Sequence, residues 1–192
     1  MDKYRKIISE LSNSGVEFDT GMSRDEIENA EILYNISFPF ELKNLFSIGL
    51  PTSKGFYNWR DMSVANVNDI KDMLIKPILG LQNDLKDDFE SNGYPCADFW
   101  CDGWGEKPND FKKAQEILMK HYAYAPPLIP VYSHRYIPFV SDSEEVPVFS
   151  IIRADIICYG ENLISYLETE FKMKKYDNNM HCRYVDFWSD LL

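Results

Sequence analysis

The sequence is poor in the residues that declare a chemistry. It holds three histidines and four cysteines in 192 residues. His121, His134 and His181 stand apart from one another. There is no Gly-x-Ser-x-Gly turn to expose a nucleophile. There is also no glycine-rich loop to cradle phosphates as P-loop and Rossmann proteins do. Ser133-His134, and Ser150 with Asp155, supply triad residue types without that turn, so His134 is expected to orient its loop by hydrogen bonding. Cys96, Cys101, Cys158 and Cys182 are irregularly spaced. The gap between Cys96 and Cys101 falls in the zinc-finger range, but no second Cys/His pair follows, and the adjacent His181 and Cys182 would point in different directions. No metal or cofactor is therefore expected. Reduced, partly buried thiols are.

Long apolar runs are also missing. None reaches the length that spans a bilayer, and MDKYRKIISELS has no signal-peptide core, so the expectation is a cytoplasmic protein without membrane association. Cations are outnumbered, with 20 Lys and Arg against 31 Asp and Glu and a net charge of −11. Such a field repels nucleic-acid phosphates and anionic lipid and favours a basic partner.

What is present is enough for a core. The chain is 45 % hydrophobic and 15 % aromatic, which argues against disorder. Its length fits one domain over residues 1–192, and no repeat, low-complexity tract or long linker divides it. Tyr4, Ile7, Ile8 and Leu11 share one helical face before Ser14-Gly15. Ser23 and Glu26 form a capping box for a second helix to about Asn35, and Pro39 opens a third to Ser47. Phe56–Trp59 reads as a short aromatic strand or turn. A helix capped by Asn66 or Asn68 is expected to end before Pro77, and a separate one to run from Leu81 to Ser91. Helix returns from Asn109 to about Tyr122, from Asn162 to Phe171, and from about Tyr184 to Leu191. Between Leu128 and Gly160 lie four apolar runs: Leu128–Tyr132, Tyr136–Val140, Val148–Ile152 and Asp155–Tyr159. They predict consecutive short strands. The fold class is therefore α+β, one domain with a twisted antiparallel sheet, and with the helices on one side of it.

Charge concentrates just before those strands. Between Leu81 and Asp110 stand eight acids (Asp84, Asp87, Asp88, Glu90, Asp98, Asp102, Glu106 and Asp110) against Lys86 and Lys107. The same segment holds Trp100 and Trp104. Tryptophan anchors within a charged rim are what protein-binding hot spots use, whereas a tryptophan in a small domain commonly closes the core. Trp59 is expected in the core, and Trp100 and Trp104 are open between the two. Asp98 and Asp102 flank Trp100 and Cys101. If held together in an apolar pocket, they would be a hydrolase's carboxylate pair, but an exposed acidic loop is the expectation.

Three groups of residues together resemble the SUKH superfamily, in its bacterial Smi/Knr-type branch. The first is Ile36-Ser37-Phe38-Pro39-Phe40-Glu41-Leu42 with Phe56-Tyr57-Asn58-Trp59. The second is Phe99-Trp100 through Gly103-Trp104-Gly105 with Pro108. The third, and most specific, joins Leu128–Tyr132 and His134–Pro138 to Pro147–Ser150 and Asp155–Gly160. One departure is Ser47-Ile48-Gly49-Leu50-Pro51, where many members carry a glycine-rich turn. The resemblance implies an α+β domain with a twisted antiparallel sheet flanked by helices, and a binding role without a shared catalytic motif. Many bacterial members are immunity proteins that neutralise a cognate toxin, often a nuclease, while others are regulatory scaffolds binding cellular partners or peptides. On that reading Asp98, Trp100, Asp102, Trp104 and Glu106 form the interface with a basic toxin domain, and Asp84, Asp87, Asp88 and Glu90 supply the steering field.

Overall fold

The computed structural model describes residues 2–91, 99–141, 145–177 and 180–192. Helix α1 (Asp2–Asn13) buries Tyr4, Ile7 and Leu11, the stripe its spacing predicts. Strand β1 (Phe18–Thr20) pairs antiparallel with β2 (Gly49–Pro51), a ribbon too short to show any alternation in sequence. Between them lie α2 (Arg24–Tyr34) and α3 (Phe40–Ile48). The Ser23–Glu26 capping box forms in both directions, and Asn35 closes α2 in the left-handed conformation.

The four late runs form an antiparallel meander: β3 (Leu128–Tyr132), β4 (Arg135–Pro138), β5 (Val148–Ile152) and β6 (Asp155–Gly160), in that spatial order. Helices cover both of its faces rather than one. Ile129, Val131, Ile137 and Val148 pack against α1, α2, α3 and α6 (Leu163–Glu170). The alternate residues Leu128, Tyr136, Phe149, Ile151 and Ile156 pack against α4 (Val64–Glu90), α5 (Phe111–Tyr122) and the C-terminal residues Val185, Phe187, Trp188 and Leu191. The strands show the reason. LIPVY and VFSII are apolar at nearly every position, the pattern of a sheet buried on both sides.

Two expected helices merge into α4, which runs unbroken through Pro77 with Ser63 as its N-cap. A proline inside a helix leaves the carbonyl four residues earlier without its donor. That carbonyl belongs to Met73, and the Tyr136 hydroxyl of β4 donates to it at 3.3 Å. The bond is made by a residue far along the chain, so a local reading breaks the helix where the fold continues it. At the other end of the chain, the expected helix from Tyr184 to Leu191 is replaced by turns and a single 3₁₀ turn (Ser189–Leu191). Phe187 takes φ of 68°, which no right-handed helix can include. The expectation of reduced thiols is corrected as well, since Cys158 of β6 and Cys182 are joined in a disulfide.

Among the described residues, Glu41 of α3 is a carboxylate with no solvent exposure. Its Oε1 accepts from the Leu163 amide at the start of α6, and its Oε2 from the Val146 amide ahead of β5. It thus joins three segments distant in sequence. Burial raises its pKa from 4.5 to about 7, against the lowering effect of those two amides.

Two outcomes follow from these buried polar groups. Tyr136→Phe should destabilise the protein by about 1–2 kcal/mol, the cost of stranding a partly buried carbonyl. The loss should shrink in a Pro77→Ala background, where a helical amide again reaches Met73, and a double-mutant cycle in urea reads the coupling. The folded protein binds the Glu41 proton more tightly than the unfolded chain does. Its contribution to stability is therefore fully present below about pH 4.5 and lost as pH rises through about 7. Against Glu41→Gln, the wild type should lose on the order of 2–3 kcal/mol across that window, read from denaturation midpoints at several pH values.

Candidate partner-binding surface

The segment after α4 is built around Trp104. It lies in a 3₁₀ turn (Asp102–Trp104) that Gly105 ends at φ of 83°. The Trp104 ring is 9 % exposed. It stacks near-parallel with His121 of α5 at 5.3 Å and with Phe187 at 5.7 Å. Trp104 therefore closes the core. Trp100 is half-buried, meets Trp104 edge-on at 5.3 Å, and donates its indole N–H to the Gly105 carbonyl at 2.7 Å. Its ring is held in place on an aromatic support, the state from which an anchor loses little freedom on binding.

Around this corner the carboxylates are exposed. Asp102 and Glu106 come from the expected segment. The C-terminal residues add Asp186 and Asp190, which the sequence reading missed. Both Asp190 and Asp102 lie close enough to Cys101 to raise its thiol pKa to about 11, after burial as the larger cause. The Cys101 thiol donates to the Asp190 carbonyl at 3.2 Å, and Tyr184 donates to the Asp190 carboxylate. None of these four carboxylates forms an ion pair among the described residues. Hydrophobic spacing at Phe187, Trp188 and Leu191 was the available signal, because it predicts that the C-terminus packs on the core. It did not say where.

The remaining expected residues divide differently. Asp84 is buried, pairs with Arg153 at 2.7 Å, and accepts from the Ala154 amide at 2.6 Å. Asp87 also pairs with Arg153, and Asp88 pairs with Lys107 at 2.5 Å. Glu90 is exposed and sits 3.6 Å from Lys86 on its own helix. Asp84 is thus spent on docking α4 to the β5–β6 turn, and the field of Asp87 and Asp88 is largely neutralised within the protein. Asp98 and Cys96 lie outside the described residues. Asp102 is exposed, unlike a hydrolase carboxylate held in an apolar pocket. Trp59 is buried as expected, with Tyr34 and Phe38 edge-on at 5.4 and 4.8 Å.

His134 contacts Ser133 Oγ through Nδ1 at 3.2 Å, the orienting bond that its sequence position suggests. Among the described residues no group of three or more His, Cys, Asp or Glu side chains is placed to hold a metal, and no helix is long and apolar enough to cross a membrane.

No family model matches the chain, and no curated protein or solved structure matches it. The resemblance to the SUKH superfamily stands on the residues quoted for it.

The two tryptophans should separate in a stability measurement. Trp104→Ala should cost about 3–5 kcal/mol, as removing a large buried ring does. Trp100→Ala should cost about 1–2 kcal/mol. Urea denaturation of the two variants checks this.

Proposed function

We propose that this chain is a non-enzymatic protein-binding module of SUKH type, an immunity protein that binds and neutralises a cognate toxin domain of basic character. The supporting observation is the composition of one corner: Trp100 on a fixed aromatic support, with four carboxylates around it that no cation of the described fold neutralises. A basic domain is steered by such a field and anchored by such a ring. Relative to the sequence expectation, the interface keeps Trp100, Asp102 and Glu106, gains Asp186 and Asp190, and gives Trp104 a supporting role. Asp98 stays in the proposal through its place in the sequence.

The proposed site of action is the cytoplasm. That compartment is reducing, and the acidic corner does not depend on the Cys158–Cys182 disulfide. The corner would persist, because Val185, Phe187 and Trp188 are buried and the Trp188 indole donates to the Pro126 carbonyl at 2.8 Å.

A low-salt pull-down from the source cell, eluted with rising salt and identified by mass spectrometry, should yield a basic toxin domain. Co-expression of this chain should then relieve that domain's toxicity. With the toxin in hand, Asp102→Lys combined with Asp186→Lys should slow association about tenfold or more at low salt and flatten its salt dependence. Unchanged association rates would remove the electrostatic argument, and full protection by Trp100→Ala would remove the anchor.

A further inference from the structure

A groove separate from the acidic corner carries an unpaired cation at its edge. In a meander, the β3–β4 and β5–β6 turns fall at the same end of the sheet. Here both turns lean over α4, and the space between them and the helix is a cleft of about 670 Å3, within the range of small-molecule sites. Its floor is Met73, Pro77 and Gly80 of α4, with Tyr136 and Ile151 from the sheet. Gly80 sets the fit of one wall, since a Cβ there would lie 2.8 Å from the Arg153 Cα.

Both turns carry a non-glycine residue in the left-handed region, Ser133 at φ of 50° and Arg153 at φ of 59°. Such two-residue turns ordinarily place glycine there, and strained backbone persists only where its surroundings hold it. Ser133 is held by its amide bond to the Gly55 carbonyl at 2.8 Å and by the Tyr57 hydroxyl, which donates to its carbonyl at 2.5 Å. Arg153 is held by Asp84 and Asp87. The result is that His134 is presented at the groove with its position fixed.

The groove's unpaired cation is Lys76, set across from a cluster in which two carboxylates outweigh one guanidinium. The guanidinium of Arg153 is taken by its two carboxylates, whereas Lys76 has no ion pair among the described residues. Its ammonium rests 3.9 Å from the Met73 sulfur, a weak acceptor, and so lies over the floor of the cleft. Lys76 and His134 are close enough for the lysine charge to act on the imidazole. Asn83 adds an amide, and the exposed side chains of Leu79 and Ile152 form an apolar rim.

We propose that this groove binds a small monocarboxylate with an aromatic or branched-alkyl body, its carboxylate on Lys76 and His134 and its body on Met73, Pro77 and Ile151. One unpaired cation beside a largely apolar floor suits a single negative charge better than a phosphate's two. This binding is independent of the toxin-neutralising role.

The test is a titration of the full chain, followed by NMR, with phenylacetate, 3-methylbutanoate and the neutral amides of both acids. The acids should shift the His134, Ile151 and Ile152 resonances, with at least one acid binding about tenfold or more tighter than its amide, the 1.4 kcal/mol of a single favourable charge contact. In Lys76→Gln, an exposed substitution that leaves the core untouched, that preference should fall to parity. Absence of shifts at these residues for both acids up to about 10 mM, a limit near −3 kcal/mol of binding, would overturn the proposal. So would equal binding of acid and amide, or a preference that survives Lys76→Gln.

Discussion

The structure depends on the way α4 crosses the meander. Three contacts along one helix make the crossing. The Tyr136 hydroxyl satisfies the Met73 carbonyl that Pro77 leaves open, Gly80 admits the Arg153 backbone, and Asp84 takes the Arg153 guanidinium and the Ala154 amide. Each is a polar or steric requirement that only the sheet can meet. The helix therefore holds its length because the strands are there, and the β5–β6 turn holds its strained residue because the helix is there. A charge removed at Asp84 would leave Arg153 beside the core without its buried partner, the costly half of an ion pair.

The same crossing explains the electrostatics. Eight acids in a short stretch look like a field directed at a partner. The helix turns part of that run inward, and Arg153 and Lys107 meet Asp84, Asp87 and Asp88. Among the described residues of that run, Asp102 and Glu106 stay exposed and unpaired at the aromatic corner, joined there by Asp186 and Asp190 from the far end of the chain. The potential is set by which carboxylates find cations, and that is a property of the fold.

Much of this was legible in the sequence, for identifiable reasons. The stripes at Tyr4, Ile7 and Leu11, the Ser23–Glu26 box and the four strand runs are local patterns, and the structure places them within a residue or two. Strand faces without polar positions also announced that both sides of the sheet are covered, although a one-sided arrangement was the expectation drawn from them. The failures share one cause. Pro77 lies in a helix because of Tyr136, the C-terminal helix is lost because Phe187 turns left-handed against Trp104 and Trp188, and Cys158 meets Cys182 because the tail folds back on β6. In each case a contact distant in sequence overrides a sound local signal. At the acidic corner proposed for binding, Trp100, Asp102 and Glu106 could be named from composition, but their division from Trp104 and Asp84 follows from burial alone.

A carboxylate site proposed on an acidic protein raises the question of self-repulsion, and α4 answers it. Lys76 reaches over the floor of the groove, while Asp88 and Phe89 near the end of the helix contact Lys107 and Phe111 beside the acidic corner. At 1.5 Å per residue, Lys76 and Asp88 stand about 18 Å apart along the axis. The Debye length at physiological salt is about 8 Å, so the corner's field is strongly attenuated at the groove. What an anion would meet there is set by Lys76, His134 and the Arg153–Asp84–Asp87 cluster. A net charge of −11 describes how the whole molecule meets a large partner; a small ligand in a cleft responds to the few charges within a screening length.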